Sequence, residues 1–157
     1  MHLRCDGPLG FPGGIIEPNE DVLTGVTREV QEELGFNVQL SEEDYVARIL
    51  QPYHRQKGDK TWDTLNSYFF AKEITEEDFK AMEINCYKAE HFGLEVMGNV
   101  RVPVHIRKDG QKGLPRFLQN HFAGAAQIQL LLSLAKAGIL PEKDLISAFS
   151  VLNKTEY

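Results

Sequence analysis

A glycine- and proline-dense run, DGPLGFPGG at residues 6–14, leads almost directly into an acidic segment, DVLTGVTREVQEEL at residues 21–34. Glycine reaches backbone angles closed to other residues and proline lacks a donor, so residues 6–14 are expected to form an irregular loop. In residues 21–34, Val22, Val26, Val30 and Leu34 recur every fourth position, an apolar stripe at the helical period. Gly35 stands where a helix terminator is expected. This helix carries a charge problem. Glu29, Glu32 and Glu33 lie at i, i+3 and i+4, so three carboxylates share an arc of roughly 100°. Like charges at that spacing repel, and the dipole disfavours anions in the last turn, where Glu32 and Glu33 sit. Arg28 is the only cation in the segment. An isolated acidic pair is usually a solvated face. This crowded trio makes sense if it binds a hard divalent cation, which takes carboxylate oxygens and shares its shell with substrate phosphates.

Elsewhere the pattern interleaves strands and helices. Residues 2–5 read as the end of a strand, and Tyr45–Leu50 and Thr64–Ala71 as strands joined by the polar segment 54–63. Residues 75–83 read as a short helix with Thr75 as N-cap and Asp78 at the capping-box position. Val100–Ile106 reads as a strand with Pro103 marking an edge or bulge, followed by a KDGQKG turn. A second long helix is expected over 123–136, ending at Gly138, and a further one within 141–152. No linker divides the chain, so residues 1–157 are expected to form one domain of the α/β or α+β class. A net charge of −6 excludes a basic nucleic-acid coat protein. No window holds the apolar length that a bilayer span requires, so no membrane partner is expected. Cys5 and Cys86 show no CxxC spacing, and no secretory leader is visible; a reducing cytoplasmic or nuclear setting is the expectation.

Gly14, then Glu20, then Arg28-Glu29-Val30-Gln31-Glu32-Glu33-Leu34-Gly35-Phe36 resembles the Nudix box, GX5EX7REUXEEXGU with U apolar, at every defined position. Seven fixed residues at roughly 6–7% usage each put a chance match on the order of 10⁻⁸ per starting position. The resemblance implies an α/β/α sandwich around a mixed central sheet, with box residues 14–36 forming a loop, helix and loop. It implies a hydrolase of nucleoside diphosphates linked to another moiety, using water activated by Mg²⁺ or Mn²⁺. Glu29, Glu32 and Glu33 would hold the cation, Arg28 would orient them by ion pairing, and the Gly13 carbonyl is a further candidate ligand. Gly13 and Gly14 would let the backbone approach the ion. Glu20 is either an anion set against the helix dipole or an outer participant at the metal.

LRCDGPLGFPGG, YFFAK at 68–72, GLEVMGNVRVP at 93–103 and GLPRFLQNHFAGAAQIQLL at 113–131 are similar to the snoRNA-decapping, inosine-diphosphatase branch of animal Nudix hydrolases. That likeness implies action on (deoxy)inosine di- and triphosphates, on capped RNA, and on ADP-ribose and related dinucleotides. It also implies a homodimer and a nuclear, often nucleolar, location beside a cytoplasmic one, and a helical C-terminal segment over 113–152. The branch carries further residues ahead of the point where this sequence starts, so the first strand or strands of the sheet are expected to be missing. In the branch's site Arg4 would meet phosphate, Phe11 would pack on the base and Gln129 would hydrogen-bond the nucleotide. Their structural alternatives are a surface strand residue, a core ring beside Pro12, and a helix polar group bonded internally. Glu95 is either a catalytic base or extra metal ligand, or a strand-end carboxylate. The branch's metal-linked histidine slot is Ile49 here, with His54 the nearest histidine. His91, His105 and His121 share no ligand spacing and receive no role, and Trp62 is either a stacking platform or a loop anchor. Arg101, Arg107, Lys108, Lys112 and Arg116 form either an RNA path or a solvated basic turn. Two other functions compete: an interaction or RNA-binding module on an impaired Nudix fold, and a general ADP-ribose or dinucleotide pyrophosphatase.

Overall fold

A computed structural model of the protein describes residues 1–53, 63–106 and 112–150. The chain runs β1 (His2–Arg4), β2 (Leu9–Gly10), α1 (Val22–Leu34), β3 (Tyr45–Tyr53), β4 (Asp63–Phe70), α2 (Glu76–Asn85), β5 (Val96–Asn99), α3 (Leu114–Phe117), α4 (Ala126–Lys136) and α5 (Glu142–Ser150). The class is α/β, as expected. Among the described residues the strands pair antiparallel, in a sheet ordered β2-β1-β5 and a hairpin β3-β4. Among the described residues, parallel contact is confined to the isolated bridges Leu9–Phe122 and Phe92–Val96. No helix among these residues is long and apolar enough to cross a membrane.

Helices α1 and α2 start and end as their caps dictate. At α1, the Asp21 side chain accepts from Thr24 N at 3.1 Å, and Gly35 closes the helix in the left-handed conformation with its N–H on Gln31 O at 2.9 Å. At α2, Thr75 Oγ1 accepts from Asp78 N at 3.0 Å. The reciprocal box expected there does not form: the Asp78 carboxylate accepts the Thr75 hydroxyl at 2.9 Å. The reciprocal pairing occurs instead at the single turn Glu42–Asp44, where Ser41 N donates to Asp44 Oδ2 at 2.9 Å.

Three expectations need correction. Residues 9–10, inside the expected loop, pair with β1, because Gly7 at φ +106° turns the chain back on itself. The strand expected at 100–106 lies at 96–99, next to β1; beyond it Val100 N still reaches Met1 O at 2.8 Å, but Pro103 has no N–H to extend a ladder. Helix α4 starts at Ala126 rather than 123, since Ala123 N is bonded to Leu9 O at 2.9 Å and Gly124 takes a left-handed φ of +49°. His54, Trp62, Arg107 and Lys108 lie outside the described residues, as do residues 151–152 of the expected last helix.

The main core joins the C-terminal helices to the glycine loop: Leu9 packs with Leu114, Phe117, Leu118, Leu130, Leu134 and Leu145. Helix α1 stands apart from it, with its buried positions at Gly25, Glu29, Glu33 and Leu34. The stripe Val22, Val26, Val30 and Leu34 does not fill a closed core; it borders a cavity of about 930 Å³.

The turn at Gly35 yields a stability prediction. A Cβ built there meets Asn85 O at 3.1 Å, on a backbone at φ +61°. Gly35→Ala is expected to lower the unfolding free energy by about 1–2 kcal/mol in chemical denaturation, with α1 retained by circular dichroism.

Candidate active site

The glycine loop and α1 meet at Arg28. Its Nε and Nη2 donate to the two carboxylate oxygens of Glu20 at 3.0 and 3.1 Å, and Nη1 donates to Glu29 Oε1 and Glu32 Oε2 at 3.0 Å each. Nη2 also reaches the carbonyl of Ile15 at 3.2 Å. Surrounded by carboxylates, the guanidinium is held protonated well above even its ordinary range. Glu20 also accepts from Glu17 N at 2.9 Å. Its structural place is therefore counter-ion to Arg28, while Asp21 is the helix N-cap.

Two glutamates of the trio are deeply placed, with Glu29 8% and Glu33 1% exposed. Close approach of the loop is possible only because of glycine. A Cβ at Gly14 would lie 2.3 Å from Glu29 Oε1, and one at Gly25 would lie 2.6 Å from Ile16 Cδ1 and 2.9 Å from Glu20 Oε2. Gly13 contacts the trio through its N–H, which donates to Glu33 Oε2 at 2.9 Å. Burial disfavours the Glu33 carboxylate and pushes its pKa up to about 7, with the Glu29 and Glu95 charges adding to the shift and the Gly13 bond opposing it.

His2 lies under this carboxylate, with Nδ1 3.8 Å from Glu33 Oε2 and the side chain 1% exposed. Neither ring nitrogen has a hydrogen-bond partner among the described residues, and burial lowers its pKa to about 4. His2 gave no signal in the sequence, being a lone histidine in a three-residue strand. His91, which shares no ligand spacing in the sequence, is brought against the trio. Ligand atoms of Glu29, Glu32 and His91 lie within 4.8 Å of one another. The N–H of His91 donates to Glu32 O at 3.0 Å, so the contact is made through the fold and no local spacing could have revealed it.

The other sequence candidates divide. Arg4, Phe11, Gly13, Glu29 and Gln129 all border the 930 Å³ cavity. The Phe11 ring sits 4.9 Å from that of Phe69, centroid to centroid, and Gln51, bonded to Ser67 Oγ at 2.9 Å, lines the same space. Arg4 is also paired with Asp6 through two bonds of 2.9 and 3.0 Å. The Glu95 side chain is 57% exposed, 3.9 Å from His91 Nδ1, and its carbonyl accepts from Cys5 N at 2.9 Å. Ile49 pairs with Ser67 in the hairpin and offers no ligand atom. In the basic group, Arg101 is neutralised by Glu83 at 2.6 Å and lies 5.0 Å from the Phe79 ring centroid, while Lys112 and Arg116 line a separate hollow of about 420 Å³.

A glycine loop feeding a glutamate helix beside such a cavity is the module of the Nudix hydrolases, and this protein is one of them. Residues 1–140 match the model of the Nudt16-like family, described as U8 snoRNA-decapping enzyme-like, and the chain belongs to that family. The U8 snoRNA-decapping enzyme of Mus musculus is 39% identical, over 89% of this chain and 69% of that protein. That of Xenopus laevis is 35% identical, over 100% of this chain and 72% of that protein. The Tudor-interacting repair regulator protein of Gallus gallus is 36% identical, over 98% of this chain and 46% of its own length.

The buried Glu33 carboxyl makes stability depend on pH. Its folded pKa lies above its unfolded one, so between about 4.5 and 7 the folded chain holds a proton that the unfolded chain has released, and stability falls as pH rises. In metal-free protein, Glu33→Gln is expected to match the parent near pH 4 and to exceed it by on the order of 2–3 kcal/mol at pH 8, read by urea denaturation with a chelator present.

Proposed function

We propose that this protein hydrolyses phosphoanhydride bonds in nucleoside-diphosphate-linked substrates, namely inosine di- and triphosphates and the cap of RNA, with Mg²⁺ or Mn²⁺ bound at the box glutamates. The observation that carries this reading is the convergence of Glu29 and Glu32 on Arg28, next to a cavity bordered by Phe11 and Gln129. Carboxylates are the oxygen donors that hard dications take, and the missing Cβ of Gly14 leaves room against Glu29. Glu29, Glu32 and Glu33 would hold the cation, with Gly13 beside them. A dication held there would supply Lewis acidity, making water a stronger nucleophile and drawing charge from a phosphoryl oxygen. Arg28 fixes two of the carboxylates in position before substrate arrives. Glu33 or Glu95 takes the proton of the attacking water. Phe11 offers an aromatic face to the base, Gln129 a hydrogen bond, and Arg4 a charge for the phosphates. On this reading the enzyme works as a homodimer in the nucleus.

Protein binding is the second reading, supported by the relatives named Tudor-interacting repair regulator protein. The complete box favours hydrolysis. Both are tested by product release from inosine diphosphate and from capped RNA with Mg²⁺ or Mn²⁺. Glu32→Gln and Glu29→Gln are expected to cut turnover by orders of magnitude with the circular dichroism spectrum unchanged; full turnover in both variants would overturn the assignment. Gly14→Ala, which drives a methyl group against Glu29 Oε1, is expected to lower turnover at least about tenfold. Glu95→Gln separates the proton acceptors, since retained turnover assigns the proton to Glu33.

A further inference from the structure

His91 has an environment that a surface loop histidine does not need. Its backbone is pinned on both sides: its N–H is held by Glu32 O at 3.0 Å, and its carbonyl accepts from Leu94 N at 3.1 Å, Glu95 N at 3.0 Å and Val96 N at 3.3 Å. The ring is therefore carried on a fixed segment against the C-terminal half of α1. Its Nδ1 is shielded from solvent and makes no hydrogen bond among the described residues. Such a nitrogen is costly to bury without a partner, and the acceptor facing it, Glu95 Oε1, stands at 3.9 Å, beyond hydrogen-bond reach. One ligand atom from each of Glu29, Glu32 and His91 falls within a 4.8 Å set, a spread that a single ion can span.

From this geometry we infer that His91 supplies a nitrogen ligand to the cation held by Glu29 and Glu32, so that the site takes Mn²⁺ and heavier first-row dications ahead of Mg²⁺. This rests on the metal-dependent reading above and adds a residue outside the box to it. Imidazole nitrogen favours first-row transition ions, whereas Mg²⁺ prefers an all-oxygen octahedral shell and gives up water reluctantly. An Asp at the same place would supply oxygen and remove that bias.

The test is electron spin-echo modulation of Mn²⁺ added alone to the intact protein, with natural-abundance and with ¹⁵N-histidine labelling, beside the variants His91→Asp and His91→Ala. The parent is expected to show a nitrogen coupling that changes with the histidine label. His91→Asp is expected to bind Mn²⁺ without that coupling, and its ratio of Mg²⁺ to Mn²⁺ dissociation constants is expected to fall at least about tenfold. Mn²⁺ bound by the parent with no nitrogen coupling would overturn the role of His91 and leave the glutamate site standing. A coupling that persists in either variant would overturn it equally, by assigning the nitrogen to another histidine. Absence of Mn²⁺ uptake by the parent would overturn both this inference and the metal-dependent reading. The measurement on the parent needs no variant to fold.

Discussion

Arg28 is the interaction on which the rest of this site depends. Three carboxylates on adjacent positions of one helix repel, and two of them stand where the helix dipole also opposes them. The guanidinium offsets this by donating to Glu29 and Glu32 while its other edge holds Glu20 and the carbonyl of Ile15. A planar fork with five donors can bridge five acceptor atoms of four residues from a loop and a helix; a lysine ammonium, a compact point charge with three donors, cannot reproduce that fan. Because Glu20 and Ile15 belong to the loop, the same group that calms the helix also sets where the loop runs.

That coupling explains an inversion of burial on α1. An amphipathic helix usually turns its apolar stripe to the core, yet here Glu29 and Glu33 are more deeply covered than the valines. The valine stripe borders the large cavity, and the loop from Gly13 to Ile16 closes over the glutamate face. Burying Glu33 with one N–H bond and a neutral histidine beside it disfavours the charged form, a strain of the kind that active sites store. The fold tolerates it because its main hydrophobic cluster lies elsewhere, between Leu9 and the helices at 114–148.

The elements that were readable in advance have local causes. Helix α1 was legible from its four-residue apolar period and from Gly35, and α2 from Thr75, because caps and periods act within a turn or two. The hairpin strands were legible to within a few residues at their ends. No local pattern distinguishes residues 96–99 from 100–106 as the strand, because β5 exists only through pairing with β1, more than ninety residues earlier. The short strand at Leu9–Gly10 was hidden in a run whose composition speaks only of turns.

The candidate site divides along the same line. Residue order alone established that Glu29, Glu32 and Glu33 share a helix face, that Arg28 stands among them and that glycine precedes them, since spacing on a helix sets angular position. Folding added what no local pattern encodes: His91 against Glu32, His2 beneath Glu33, and Phe11, Gln51 and Gln129 around one cavity. These groups come from segments far apart in the chain, and their meeting follows from strand pairing and helix docking, which are decided by the total of long-range contacts.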